Sequence, residues 1–162
     1  MATPAGRGGA VVPVVLCPLR HGGGGAVGRC DSRGLAGGDH QCIVGHVAQA
    51  GVHRAPAIGQ ALVDSGFALI EVPLNSPRPM ESIAALAAQH PNHLIGAGTV
   101  LTSAQVREVQ AAGGRIIISP HFDPVVVHEA LRLGLVCVPG VATPSEAFAA
   151  LHAGAHALKL FP

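Results

Sequence analysis

Glycines 114, 134 and 154 recur at intervals of 20 residues, and each closes a helix-like segment just before a strand-like one. Gly66 does the same earlier in the chain. A repeat of that length holds one short helix, one short strand and two tight connections, and little else. Apolar residues fall at helical spacing over 56–66, 78–89, 103–113, 124–134 and 144–154. Between them lie apolar runs of strand length over 68–74, 93–100, 115–119, 135–140 and 155–161. Nearly continuous apolar strands alternating with helices predict a parallel sheet covered by helices, either doubly wound or a (β/α) barrel. The repeat favours the barrel.

The first 55 residues read differently. They hold thirteen of the 22 glycines and three of the four cysteines, with no glutamate and no phenylalanine. Glycine loses the most backbone entropy on ordering, and few periodic apolar positions here could offset that loss. The stretch VVPVVLCPL could form a strand, which Pro13 and Pro18 would confine to an edge or a bend. Residues 1–55 are therefore expected to be irregular or disordered, and ordered structure is expected over 56–162.

A net charge of +1 without a basic run points away from nucleic acid and anionic membranes as partners. No apolar run approaches the roughly 20 residues of a membrane-spanning helix, and no signal sequence is evident, so a cytoplasmic location is expected. Cys17, Cys30, Cys42 and Cys137 are widely spaced and read as free thiols.

The chain contains a single lysine, Lys159, within the apolar run AHALKLF. Strand alternation sends Ala157, Lys159 and Phe161 to one face, and Leu158 and Leu160 to the other. The leucines suit the helix-covered side, so Lys159 is expected to point inward. Counting five residues on from each repeat glycine gives Glu71, Ser119, Pro139 and Lys159, which should share that interior. A desolvated lysine has a lowered pKa and can attack a ketone to form a Schiff base, an electron sink for an adjacent carbon–carbon bond. A buried glutamate beside it suits proton transfer. A structural ion pair between Glu71 and Lys159 is the competing reading.

In LIGAGTV, Gly96 and Gly98 end a strand beside the Thr99 hydroxyl, where a carboxylate could dock. A dinucleotide turn fits less well, since Leu101 stands where a third small residue belongs. The histidines and cysteines show no metal-ligand spacing, and His21, His40 and His46 read as composition noise. His90, His93, His121, His128, His152 and His156 are expected mostly at solvated helix faces or ends.

Together, IEVPLNSP, LIGAGTVLT and CVPGVATPSEAFAALHAGAHALKLFP resemble the 2-keto-3-deoxy-6-phosphogluconate/6-phosphogalactonate aldolase family, over about residues 56–162. The form EVPLNSP is nearest the phosphogalactonate branch. The resemblance implies a (β/α)8 barrel of the TIM type, a homotrimer, and metal-independent chemistry without a cofactor. It implies a carbon–carbon lyase that cleaves a phosphorylated 2-keto-3-deoxy sugar acid, here 2-dehydro-3-deoxy-6-phosphogalactonate, to pyruvate and glyceraldehyde 3-phosphate. By the same resemblance Lys159 is the Schiff-base lysine and Glu71 moves protons through a water. Gly98 and Thr99 hold the pyruvoyl carboxylate, and Pro120 and Phe161 line the imine pocket.

Two departures stand out. Members of the family end their first strand in an arginine–glycine pair a little over twenty residues before the glutamate. Here that region reads HVAQAGVHR, and neither Arg20 nor Arg54 fits the role. Residues 1–55 are read as a wrongly started or frame-shifted version of that strand. Lys159 falls on the sixth strand, so strands 2–6 are recognisable and the last two βα units, with their phosphate-binding loops, are absent from this sequence. A weakly active or inactive aldolase is expected, and a non-catalytic remnant that pairs with another polypeptide is the alternative.

Overall fold

In the computed structural model, the described residues are 12–13, 43–47 and 51–161. Five helices and a parallel sheet alternate through 51–161 as the 20-residue repeat requires. The strands are β1 (Val12–Pro13), β2 (Ile43–His46), β3 (Leu69–Pro73), β4 (Leu94–Gly98), β5 (Ile116–Ile118), β6 (Val136–Val138), β7 (Gly140–Val141) and β8 (Lys159–Leu160). The helices are α1 (Ala55–Asp64), α2 (Pro79–Gln89), α3 (Ser103–Ala111), α4 (Pro124–Arg132) and α5 (Pro144–His152).

Strands β1 to β6 form one sheet in sequential order. β2 to β6 are parallel, and β1 pairs antiparallel at the edge. Pro13 sits on that edge, where its missing N–H breaks no inner ladder. Pro139, with no N–H to donate, separates β6 from β7, and β7 pairs in parallel with β8. Lys159 N–H donates to Pro139 O at 2.9 Å, so β8 follows β6 and β7 in space. The arrangement is that of successive units of a (β/α) barrel.

Local chemistry fixes the helix ends. Thr102 and Thr143 each form a capping box, with Gln105 and Glu146 respectively, and the Asp123 carboxylate accepts from Val125 N–H at 2.8 Å. The helix stops at Gly66, Gly113, Gly134 and Gly154 have positive φ, which glycine adopts without a Cβ clash. Gly113, not Gly114, is therefore the stop for α3.

Two apolar layers flank the sheet. Ile70, Val72, Ile95, Ala97, Ile117 and Cys137 pack beneath the helices, against Ile83, Leu86, Val106, Val109, Val126 and Val127. The opposite face gathers Val44, Leu69, Ile116, Ile118, Val138 and Ala157 into a second buried cluster. Burying each valine, leucine or isoleucine of these layers contributes on the order of 1.5–3 kcal/mol. Apolar layers on both faces explain why the strands read as continuous apolar runs.

The sequence reading does not anticipate β2. Within the glycine-rich region, Ile43–His46 pairs in parallel with β3, placing Val44 opposite Leu69 and His46 opposite Glu71. One small residue makes this fit: a Cβ at Gly45 would come within 2.9 Å of the Leu62 side chain. Apart from Val12–Pro13, the stretch VVPVVLCPL lies outside the described residues, as do Cys17, Cys30, Cys42, His21, His40 and Arg20. No helix among the described residues is long and apolar enough to cross a membrane.

Candidate active site

Glu71 lies on β3 of the six-stranded sheet and Lys159 on β8 of the two-stranded one. Leu69, two residues before Glu71, and Ala157, two before Lys159, belong to the same buried cluster. Strand alternation carries the Glu71 side chain toward that side of the sheet, and Lys159 stands half-buried at the start of β8. Leu158 packs instead with Val141, Ala150 and Ala155 under α5.

The other two positions in the five-residue count are corrected. Ile118 and Val138 face the shared cluster, so Ser119 and Pro139 fall one residue out of phase. The reason is local. The stop of α3 is Gly113, and β6 starts two residues after Gly134 whereas β5 starts three after Gly113. Ser119 is buried, and its hydroxyl donates to His121 O at 2.8 Å.

Glu71 is 3% exposed. A carboxylate so far from water needs compensation, and Glu71 receives it on one oxygen. His46 Nδ1 lies 2.7 Å from Oε1. Oε2 is equally buried and has no hydrogen-bond partner among the described residues. The carboxylate rests against Gly98, where a Cβ would collide with Oε2, so the glycine at the end of β4 makes room for the acid.

Thr99 follows with φ 60. A β-branched residue in the left-handed region is strained by about 1–3 kcal/mol, and such strain concentrates where a chain must present groups to a ligand. Here the strained turn leaves the Thr99 side chain exposed while Val100 beside it is fully buried and donates to Ile118 O.

Around Lys159 a second set converges. Gly140 stands opposite Lys159 in the β7–β8 register. A Cβ at Gly140 would strike the carbonyl of Pro120, so Pro120 borders the lysine strand through the absence of a side chain at 140. Phe161 is 40% exposed, and the Lys159 ammonium lies 4.9 Å from its ring centroid, a cation–π contact. Lys159 is half-buried. It forms no ion pair with Glu71, whose side-chain partner among the described residues is His46, so the structural-pair reading does not describe the molecule.

His46 is the site residue that sequence reasoning misses. Its signal is faint: a four-residue alternation, IVGH, 25 residues before Glu71 within a glycine-rich surround. Arg54 is exposed at the start of α1, away from that register position. His90 also departs from expectation, being buried at the end of α2. Cys137 is a buried free thiol pushed up to about 12 by burial, which removes it as a nucleophile. Among the described residues, no three His, Cys, Asp or Glu side chains group in a way that could hold a metal ion.

A family model described as "Aldolase: KDPG and KHG aldolase" matches residues 40–162, a span that begins just ahead of β2. The chain is 50% identical over 110 residues to the "Probable 2-dehydro-3-deoxy-6-phosphogalactonate aldolase" of Rhizobium meliloti (strain 1021), covering 67% of this chain and 52% of that protein. It is 46% identical over 103 residues to the 2-dehydro-3-deoxy-6-phosphogalactonate aldolase of Escherichia coli (strain K12), covering 63% and 50%. A solved structure described as "Native KDPGal structure" superposes with a TM-score of 0.72 at 40% identity, covering 74% of this chain and 58% of that one. The KDPG aldolase of Legionella pneumophila, with pyruvate captured at low pH as a covalent carbinolamine intermediate, superposes at 0.63 with 32% identity, covering 68% and 54%. The chain spans about half the length of the curated relatives it matches.

Proposed function

Because this chain belongs to the KDPG and KHG aldolase family, we propose that it is a class I aldolase cleaving 2-dehydro-3-deoxy-6-phosphogalactonate to pyruvate and glyceraldehyde 3-phosphate. The observation that carries the reading is the buried Glu71 carboxylate, whose Oε2 has no partner among the described residues, within a family match that also spans the half-buried Lys159. Sequence similarity to two 2-dehydro-3-deoxy-6-phosphogalactonate aldolases supports the choice of sugar acid.

Lys159, as free amine, attacks the C2 ketone and gives a carbinolamine, which loses water to form an iminium. The C3–C4 bond then breaks. Its electron pair moves into the iminium to leave an enamine, and the C4 hydroxyl gives up its proton as the aldehyde departs. Glu71 accepts that proton through a water and returns one to C3, and hydrolysis of the resulting iminium releases pyruvate. Gly98 and Thr99 hold the pyruvoyl carboxylate, while Pro120 and Phe161 border the imine. A homotrimer in the cytoplasm completes the proposal, and exposed Val125 and Phe148 on α4 and α5 offer apolar surface for assembly.

Trapping tests the reaction. The chain is incubated with pyruvate and borohydride, then digested and weighed. A reduced pyruvyl adduct on Lys159, absent from Lys159→Met and formed more slowly by Glu71→Gln, is the expected result. An equal adduct yield in Lys159→Met overturns the assignment. Pyruvate release from the galactonate and gluconate epimers identifies the substrate, and light scattering measures the assembly.

A further inference from the structure

We propose that His46 is a positioning residue for Glu71: its imidazole engages Oε1, so that proton transfer runs through Oε2. This rests on the aldolase reading above. Three observations carry it. The bond between Nδ1 and Oε1 is 2.7 Å long. The strands place the two residues directly opposite each other, so the contact comes from a main-chain ladder and not from a loose surface encounter. Oε2 is buried, borders the bare Cα of Gly98 and has no partner among the described residues.

An ionised carboxylate only accepts hydrogen bonds, so in that state the proton of the pair resides on Nδ1. A donor fixed on one oxygen sets the rotation of the carboxyl group and leaves the other oxygen to exchange protons. The His46 side chain is 20% exposed against 4% for that of Glu71, so the imidazole is the more exposed partner of the pair. In the pyruvate iminium, Oε2 removes a methyl proton through a water. The C–H electron pair forms the enamine double bond, the iminium π pair returns to nitrogen, and Glu71 becomes the neutral acid. The reverse step delivers a solvent proton.

Methyl exchange of pyruvate in D2O, followed by proton NMR, reads this step separately from Schiff-base formation. The full-length chain is compared with His46→Leu and His46→Asn, and each is also trapped with borohydride. Asn places an amide N–H where Nδ1–H stands. The expected result is a comparable final yield of Lys159 adduct in all three, exchange about 10- to 100-fold slower in His46→Leu, and recovery in His46→Asn. Wild-type exchange in His46→Leu with its adduct intact overturns the role while leaving the aldolase reading standing. So does a His46→Asn chain no faster than His46→Leu. Failure of the wild-type chain to form any adduct overturns both.

Discussion

The imidazole of His46 and the carboxylate of Glu71 are joined at 2.7 Å across two neighbouring parallel strands, at positions that share one register. That register is set by the apolar residues beneath it, since Val44 opposite Leu69 belongs to the inward cluster and fixes which face of β2 turns inward. A one-residue slip would bury Gly45 there and send His46 under the helices. The site therefore depends on an apolar match two residues away from its chemistry.

Replacing Gly98 by alanine places a methyl group where Glu71 Oε2 lies. The carboxylate has to turn away or β4 has to shift, at a cost of about 1–3 kcal/mol in folding stability. Urea unfolding should register that loss. Deuterium exchange into pyruvate should fall while the Lys159 adduct still forms. Unchanged stability and exchange would show that the carboxylate does not need this space.

Thr99→Gly removes the left-handed strain at φ 60. Relief of about 1–3 kcal/mol is offset in part by the greater freedom of glycine in the unfolded chain, about 0.4–1 kcal/mol. The variant should melt at a higher temperature and form less pyruvate adduct, because it lacks the hydroxyl assigned to the carboxylate. A gain in stability with full adduct yield would detach Thr99 from binding.

His156 ties β8 to β6. Cys137 N–H donates to His156 Nδ1 at 3.2 Å, and His156 N–H donates to Cys137 O at 3.0 Å. Loss of water around the ring lowers its pKa below the ordinary 6.5. The unfolded chain then binds a proton more readily than the folded one, so stability rises with pH through this window. The contribution is present above about pH 6.5 and is lost as pH falls through the lowered folded value. Protection of the Cys137 amide against hydrogen exchange should fall below pH 6 in the wild type. His156→Gln should flatten that dependence, and an amide equally protected at pH 5 and pH 7 would contradict it.

Much of the fold is legible in the sequence because its determinants are local. Proline-led helix starts, the Thr102–Gln105 and Thr143–Glu146 capping boxes, and left-handed glycine stops all act within a few residues. Within AHALKLF the expectation for the leucines holds for Leu158, which packs under α5, and fails for Leu160, which is exposed near the end of the described residues. β2 is hidden for the opposite reason. Four residues in a glycine-rich segment carry little propensity of their own, and only the waiting edge of β3 supplies the hydrogen bonds that make them a strand.

Sequence alone determined the repeating strand–helix order and singled out Lys159 and Glu71 as the candidate residues for the chemistry. Only the tertiary structure decided the company Glu71 keeps: His46 on one oxygen, Gly98 against the other, and Phe161 rather than Glu71 beside the Lys159 ammonium. Side-chain direction along a strand follows from backbone geometry that neighbouring residues set. Which groups meet across strands depends on register and connection length, and those are fixed by packing between residues far apart in the chain.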